Sequence, residues 1–342
     1  MSIRVERFDG AAAEWDAFVR ASAGWTHFHL HGWRDVMARV FGHECLYLAA
    51  RDPGGRLVGV LPLVRVRSAL FGHYLVSMPF VNYGGPLGEA AAVQALVARA
   101  GQVARADRVR LLELRNRVPL PIDLPVSHRK ITVVRDLPPT EDELWTAIPA
   151  KVRSQVRRPQ KEGVEVRFGP DQVAPFFSVF AAHMRDLGTP TQPRRLFETL
   201  ASVFPDDVWF GCAWLNGEPI AGGCGIRWGT ELEMTWASSL LAHKRIAPNM
   251  LVYWAFMQRA IAAGCTTFNF GRCTPGSGTH DFKRQWGTRD EPLWWYQQVA
   301  DGKPASTPSP NDSAYSWGPR LWRRLPRPVA TALGPHLVRY IP

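Results

Sequence analysis

The sequence is poor in cysteine, and its 5 cysteines include no CxxC pair. An odd number without that spacing excludes a disulfide framework and a zinc ribbon, so we expect reduced thiols. Long apolar runs are also missing, because no uninterrupted stretch approaches the ~20 residues that cross a bilayer. The first residues, MSIRVERFDG, carry charges where a signal peptide needs an apolar segment. These absences predict a cytoplasmic location, with contact at the inner face of the membrane left open.

Acidic side chains are scarce relative to basic ones. Lys and Arg number 41, Asp and Glu number 30, and the formal net charge is +11. A charge of this sign raises the local concentration of phosphates, nucleic acid and anionic membrane surfaces, so we expect an anionic partner. We expect no aromatic residues close to the basic segment at 151–161, which disfavours stacking on long nucleic acid.

The order of elements along the chain points to two related domains. Its 342 residues, 46% of them hydrophobic, favour a globular protein with more than one domain. The order strand, strand, loop, helix, strand occurs twice, so that GGRLVGV corresponds to NGEPIAG and RVRLLELRNR to CTTFNFGRC. The pattern predicts α/β domains at 1–139 and 140–300, followed by a linker and a basic, aromatic tail at 301–342.

A basic helix is predicted at the start of the second domain, within residues 140–163. Arg153, Arg157 and Lys161 recur every four residues and therefore lie along one helical face. We expect Pro159 to kink or end the helix before Lys161. The face is a candidate for binding phosphates of a donor or acceptor, and the alternative is an ordinary solvated face.

Two longer motifs carry a family resemblance. The string KVRSQVRRPQKEG, followed downstream by FNFGRCTPGSGTHDFKRQWG, resembles the FemAB-like branch of the GNAT-fold acyltransferases, in particular the members associated with PEP-CTERM/exosortase systems. The loop PFVNYGGPL and the ending LWRRLPRPVATALGPHLVRYIP resemble the same subgroup. The resemblance implies two GNAT-like domains, each a mixed, mostly antiparallel sheet flanked by helices.

The resemblance also implies an activity. It indicates an acyl- or aminoacyltransferase that acts on an amine or hydroxyl of a cell-envelope glycan, an exopolysaccharide or a lipid-linked precursor. Acyl-CoA or aminoacyl-tRNA would be the anionic co-substrate, with no tightly bound cofactor. The alternative is a non-catalytic GNAT-like scaffold or binding protein in an exopolysaccharide assembly system.

The polar loop that follows the strand at 266–270 is the main candidate for the active site. Its glycine-rich stretch, GRCTPGSG, offers backbone N–H groups that cradle an oxyanion or a phosphate, and the alternative is a tight turn that needs glycine. Catalytic candidates in and beside it are Arg272, Ser277, Thr279 and Lys283. Asn269, just before the loop, is a candidate binding residue.

Lys283 is the principal catalytic candidate, because FKRQWG resembles a Phe-Lys motif of FemAB-type enzymes whose lysine stabilises the charge that develops during acyl transfer. A compact ammonium in a cleft shielded from water suits that role. Phe282 and Trp286 are expected to flank its stem. The alternative is a surface ion pair with Asp281, Asp290 or Glu291.

Further binding candidates lie elsewhere in the chain. The stretch from Arg245 to Asn249 corresponds to the loop by which GNAT enzymes hold the CoA pyrophosphate, but Pro248 and Asn249 replace its glycines; the alternative is an N-capping Asn249. Asn82 and Tyr83 lie in the PFVNYGGPL loop. No metal site is predicted, although HFHLH places three histidines at alternate positions. The basic tail is expected to contact an anionic membrane or to dock on its own domain.

Overall fold

The computed structural model describes residues 3–68, 71–299 and 317–341. Its chain forms two compact units. Of the described residues, the first unit contains 3–130, 292–299 and 339–341, and the second contains 131–291 and 317–338. Each unit is built on one β-sheet.

The first unit has an eight-stranded sheet. Its strands are β1 (Arg4–Arg7), β2 (Glu44–Arg51), β3 (Leu57–Ser68), β4 (Gly72–Ser77), β5 (Leu87–Gly88), β6 (Leu111–Asn116), β7 (Val126–Ser127) and, from later in the chain, β15 (Trp294–Val299). The order is β1-β2-β3-β4-β6-β15-β7, with β5 paired to β3. The central strand β3 is buried along most of its length, as its continuous apolar run predicts.

The described residues of the first unit form three α-helices and two short helical turns. They are α1 (Ala12–Ala21), α2 (Trp33–Val36), α3 (Ala90–Ala106), a 3₁₀ turn at His27–His29 and a π-helical turn at Met37–Phe41. Helix α3 buries small and apolar side chains at four-residue spacing, including Leu96, Ala100 and Ala104, and packs against β2 and β3. This spacing places them on one face, which covers the sheet.

The second unit has a seven-stranded sheet. Its strands are β8 (Ile131–Asp136), β9 (Glu165–Phe168), β10 (Val208–Leu215), β11 (Glu218–Trp228), β12 (Glu231–Ser239), β13 (Thr267–Cys273) and β14 (Arg289–Pro292). They follow the order β14-β8-β13-β12-β11-β10-β9.

The helices of the second unit are α4 (Glu141–Ala147), α5 (Ala150–Lys161), α6 (Val173–Leu187), α7 (Arg194–Val203), α8 (Pro248–Ala262), α9 (Gly278–Arg284), α10 (Trp317–Trp322) and α11 (Arg327–Val338), with 3₁₀ turns at Pro170–Gln172 and Leu241–Ile246. Helix α8 is apolar around most of its surface and packs between β10–β12 and α5. Among the described residues, no helix combines the length and apolar character that a bilayer crossing requires.

The two sheets share one topology, and the predicted fold class is confirmed. In the first sheet, β4 and β6 run parallel and the other recorded pairs are antiparallel. In the second, β12 and β13 are the parallel pair. The strands that the repeat predicts as equivalents, β3 with β11 and β6 with β13, occupy the same sheet positions.

The limits of the compact units differ from the predicted 1–139 and 140–300. Strand β8, before the predicted boundary, pairs with β13 of the second sheet, and β15, at the end of the predicted second domain, pairs with β6 of the first. In each sheet, one strand beside the parallel pair therefore comes from the segment that was assigned to the other domain: β15 in the first sheet and β8 in the second. The predicted linker at 301–316 lies outside the described residues.

Pro159 was expected to kink or end the basic helix before Lys161, and it does not end it. Helix α5 continues through Pro159 to Lys161. The break comes earlier, between α4 and α5, where Pro149 follows Ile148 and holds it in an extended conformation with ψ 146°. Pro159 is buried, so its ring contributes to packing while one helical hydrogen bond is missing.

Candidate active site

The parallel strands of the second sheet separate partway along their length. Strands β12 and β13 pair from Glu231 opposite Thr267 to Glu233 opposite Asn269. Beyond that point β12 continues to Ser239 and β13 to Cys273, both fully described, without further pairing between them. Beyond this point the facing edges of the two strands are not hydrogen-bonded to each other as a ladder, which leaves a gap between them. We call it the β12–β13 gap.

Buried polar side chains lie where the strands separate. Asn269 and Glu233 are both fully buried, and the Asn269 amide nitrogen donates to Glu231 at 2.7 Å and to Glu233 at 3.4 Å. The Asn269 oxygen accepts from the Thr132 hydroxyl at 2.7 Å. The Thr235 hydroxyl donates to the other Glu233 oxygen at 3.3 Å. A carboxylate is therefore held without solvent beside the gap, in a hydrogen-bonded setting.

A β-bulge in β13 shapes the far side of this cluster. The register with β8 shifts between Asn269 and Arg272, and Gly271 adopts a left-handed φ of 73°. The Asn269 oxygen accepts from the Gly271 N–H at 2.8 Å, which satisfies a donor that the irregular ladder releases. The bulge turns two carbonyl groups toward α9, and the ammonium of Lys283 donates to both, at 2.7 Å to Gly271 and 3.0 Å to Arg272.

Lys283 is a buried cation, only 4% exposed. Burial lowers its pKa from 10.5 to about 8, while nearby Cys273 and Glu233 act in the opposite direction. Lys283 does not form the surface ion pair that was the alternative, because its ammonium binds the backbone carbonyls of Gly271 and Arg272. Asp290 instead accepts from His280 Nε2 at 2.9 Å.

The other loop candidates surround the start of α9. Ser277 caps this helix: its hydroxyl accepts from the His280 N–H at 3.2 Å and donates to the Thr274 carbonyl at 2.7 Å. Thr279 is exposed on the first turn, and Arg272 is half-buried. The structure therefore brings Arg272, Asn269 and Lys283 to the bulge and gives Ser277 a capping role.

The aromatic residues expected beside Lys283 form part of a buried cluster. Trp286 is fully buried, and its ring lies 6.1 Å from that of Phe270 and 6.3 Å from that of Tyr253. Phe282 contacts the same tyrosine ring at 5.1 Å. The cluster anchors α9 on the sheet and thereby positions the lysine stem.

The segment that corresponds to the CoA loop leads into α8. Ala247 holds a left-handed φ of 54° and occupies the N-cap position, while Pro248 begins the helix. The alternative of an N-capping Asn249 is wrong, because Asn249 already lies within the helix. Arg245 is exposed, and its carbonyl accepts from the Arg158 guanidinium at 3.0 Å.

The basic face of α5 has structural partners. Arg153 donates to the carbonyls of Trp145, Thr146 and Ile148, at 3.3, 3.2 and 2.7 Å, and so caps the end of α4. Arg157 lies 5.0 Å over the Trp145 ring. An aromatic residue does therefore adjoin the basic helix, contrary to the expectation from the segment itself, but it stacks on an arginine of the protein.

In the first unit, the equivalent separation of strands is closed by its own loop. Strands β4 and β6 pair only from Tyr74 opposite Leu111 to Val76 opposite Glu113. Beyond this, the Ser77 hydroxyl accepts from the Arg115 N–H at 2.7 Å. The Arg115 carbonyl accepts from the N–H groups of Gly84 and Gly85 at 3.0 and 2.9 Å. The PFVNYGGPL loop thus occupies the place that remains a gap between β12 and β13.

Asn82 and Tyr83 are buried in this loop, 6% and 1% exposed. Tyr83 lines a pocket of about 210 Å³ together with His29, Asn116 and Arg117. His29 accepts from the Thr26 N–H through Nδ1, so Nε2 carries the proton that it donates to the Gly85 carbonyl. Burial lowers the pKa of His29 to about 4 and keeps it neutral. Among the described residues, no cluster of metal-ligating side chains occurs.

Sequence reasoning missed Glu233 and Thr132. Glu231 and Glu233 stand two apart in an apolar strand, and that spacing places both on one face. Glu233 could therefore have been predicted from the sequence. Thr132 could not, because it reaches the site only through the pairing of β8 with the second sheet.

Part of the chain matches a known protein family. Residues 150–284 match the family described as an acetyltransferase (GNAT) domain, which spans α5 to α9 and includes the β12–β13 gap. No curated protein matches the chain.

Solved structures of similar fold include FemX, with 16% sequence identity, a TM-score of 0.63, and coverage of 85% of this chain and 97% of that one. A second is the C-terminal domain of a putative lysylphosphatidylglycerol synthetase from Agrobacterium fabrum, with 12% identity, a TM-score of 0.56, and coverage of 85% and 92%. A third is a tandem GNAT protein from the clavulanic acid biosynthesis pathway, with 13% identity, a TM-score of 0.53, and coverage of 89% and 100%. Residues 150–284 thus match the GNAT domain family, and the chain has a GNAT-like fold.

Proposed function

We propose that this chain, with its GNAT acetyltransferase domain at residues 150–284, transfers an acyl or aminoacyl group to an amine or hydroxyl of a cell-envelope glycan, an exopolysaccharide or a lipid-linked precursor. The observation that carries the proposal is the β12–β13 gap with the Glu233, Asn269 and Lys283 cluster beside it. Similarity to FemX and to a lysylphosphatidylglycerol synthetase domain supports an aminoacyl donor and an envelope acceptor. Membership of the PEP-CTERM/exosortase-associated subgroup remains part of this proposal.

The donor lies in the gap in this proposal. An extended donor chain would enter between the two strands beyond Glu233 and Asn269, where β12 and β13 no longer pair with each other. The phosphates of the donor are bound at the start of α8 in this proposal, because a helix of this length carries partial positive charge at its N-terminus. Lys244 and Arg245, both exposed just before it, add full charges. Acyl-CoA and aminoacyl-tRNA both meet this description.

Lys283 stabilises the oxyanion in this mechanism. Attack of the acceptor on the donor carbonyl moves negative charge onto oxygen, and a buried ammonium stabilises that charge more strongly than one in water. With a pKa of about 8, Lys283 is mostly protonated at neutral pH and has one N–H beyond the two that bind carbonyls. In this mechanism the buried Glu233 carboxylate accepts the proton that the acceptor loses and passes it to the leaving CoA sulfur or tRNA ribose oxygen as the donor's acyl bond breaks.

One observation favours the second candidate, a non-catalytic scaffold. Lys283 and Arg153 both bind backbone carbonyls, which is what purely structural cations do. In that case Lys283 fastens α9 to the bulge and takes no part in chemistry.

The experiment compares the parent protein with Lys283→Met and with Lys151→Met, an exposed lysine on α5. Each protein is incubated with radiolabelled acetyl-CoA, longer acyl-CoAs or aminoacyl-tRNA and with amine-bearing or hydroxyl-bearing saccharides. Transfer by the parent and by Lys151→Met, lost in a folded Lys283→Met that still binds donor, supports the proposal. A Lys283→Met protein as active as the parent rules out the catalytic role, and a parent that binds no donor favours the scaffold.

A further inference from the structure

The C-terminal helices of the second unit form an apolar surface. Seven large hydrophobic side chains of the described chain are exposed, and four of them belong to α6, α10 and α11. These are Leu187 at 49%, Leu321 at 53%, Val329 at 41% and Leu333 at 47%. We call this set the α10–α11 surface. A concentration of exposed apolar groups on neighbouring helices marks an interaction site more often than scattered ones do.

The surface is held firmly on its own unit. Ala330 and Gly334, four residues apart, are the buried positions of α11, and a Cβ on Gly334 would come within 2.9 Å of the Thr191 backbone. The Arg323 guanidinium donates to the Leu187 carbonyl at 3.2 Å, which joins α10 to the end of α6. Helix α11 therefore docks through small residues and leaves Val329 and Leu333 exposed.

Arginine side chains border the apolar residues. Arg320, Arg323, Arg324 and Arg327 are all exposed, and residues 317–341 contain no Asp or Glu. Within α11, after Arg327, the sole ionisable side chain is His336. An apolar helix beside a cluster of cations with no acidic residue has the composition of a segment that lies in a membrane interface.

We propose that the α10–α11 surface docks on an anionic lipid membrane, with α11 parallel to the membrane plane. The 12 residues of α11 are too few to cross the bilayer, so an orientation in the interface is the one that covers its apolar face. The arginines contribute attraction to anionic headgroups, and Val329 and Leu333 insert among the acyl chains. The docking does not depend on the reaction proposed above, although it would bring a transferase to lipid-linked acceptors.

The test is sedimentation of the full chain with vesicles of phosphatidylcholine, with or without phosphatidylglycerol. Each arginine at an anionic surface contributes roughly fivefold to partitioning, so the triple variant Arg320→Gln, Arg324→Gln, Arg327→Gln should bind about 100-fold more weakly. The matched control replaces three exposed arginines elsewhere, Arg105, Arg129 and Arg195, with Gln and should bind nearly as the parent does. Equal losses in both triple variants would overturn a specific surface.

A depth probe separates insertion from simple charge attraction. The five native cysteines are buried, so a Leu333→Cys variant accepts an environment-sensitive fluorophore selectively. A blue shift on phosphatidylglycerol vesicles is expected, while a label at exposed Arg195→Cys should show none. No binding to anionic vesicles, or a parent that is dimeric in solution and becomes monomeric on Leu333→Gln, would overturn the proposal, the latter by identifying a second copy as the occupant.

Discussion

The buried Lys283 should make the free energy of unfolding depend on pH in the alkaline range, and the substitution Lys283→Met should remove that dependence. Its pKa is about 8 in the folded protein and 10.5 in an exposed lysine. Between these values the unfolded chain keeps a proton that the folded chain has lost. Because stability rises with pH wherever the unfolded state binds more protons, the free energy of unfolding should increase across this window.

The size of the effect follows from the difference between the two pKa values. Lowering the pKa from 10.5 to about 8 corresponds to a cost of about 3 kcal/mol for the charged form at neutral pH. Lys283→Met removes that cost but leaves the Gly271 and Arg272 carbonyls without the lysine, at about 1–3 kcal/mol each. At neutral pH the two effects offset within a few kcal/mol.

The assay is urea unfolding of the parent and of Lys283→Met, in reducing buffer, from neutral pH to about pH 10.5. Other groups titrate in both proteins and cancel in the difference. We expect the stability of the parent relative to the variant to rise by about 3 kcal/mol, mostly above pH 8. A difference that stays constant within about 0.5 kcal/mol would refute the reasoning, because it would mean that Lys283 titrates as an exposed lysine.

Three further substitutions test particular contacts by denaturant unfolding. Glu113→Gln leaves the guanidinium of Arg115, 2.8 Å from that carboxylate and equally buried, without its counter-charge, and should cost about 3 kcal/mol; a loss below about 1 kcal/mol would contradict this. Gly88→Ala, at φ 136°, would place a Cβ against the Val58 carbonyl and should lower the free energy of unfolding by more than ~2 kcal/mol. The control Gly163→Ala, at φ 79° in open space, should lower it by about 1 kcal/mol. Equal losses in the two variants would contradict the close packing at Gly88. Arg153→Met leaves three carbonyls at the end of α4 without the guanidinium and should lower the free energy of unfolding by about 1–2 kcal/mol. An unchanged denaturation midpoint would mean that Arg153 belongs to an ordinary solvated face.

Local patterns predicted most of the fold. The repeated order of strands, loop and helix identified β3 and β11, and β6 and β13, as equivalent strands, and they occupy equivalent positions in the two sheets. The exchange of β8 and β15 between sheets was not predictable in this way, because the local pattern of each strand suits either of two sheets that share one topology. Which edge a strand joins depends on long-range packing that a single sequence pattern does not encode.

The candidate site was predictable only in part. The motif FKRQWG pointed to Lys283, and the neighbouring glycine-rich loop pointed to the bulge at Gly271. That the ammonium binds two backbone carbonyls depends on the bulge, which arises from the register between β13 and β8. Similarly, Arg153 was visible as part of a basic stripe, but its capping role requires the break before α5 at Pro149.

Hydrogen exchange with bound donor tests the central claim most directly, namely that the donor lies in the β12–β13 gap. Amides at 234–239 and 270–273 follow the point where the two strands separate. With saturating acyl-CoA or an aminoacyl-tRNA mimic, we expect these segments to exchange more slowly, together with the first turn of α8, while the loop of the first unit at 78–86 stays unchanged. Donor binding that protects other segments and leaves 234–239 and 270–273 unaltered would contradict the account.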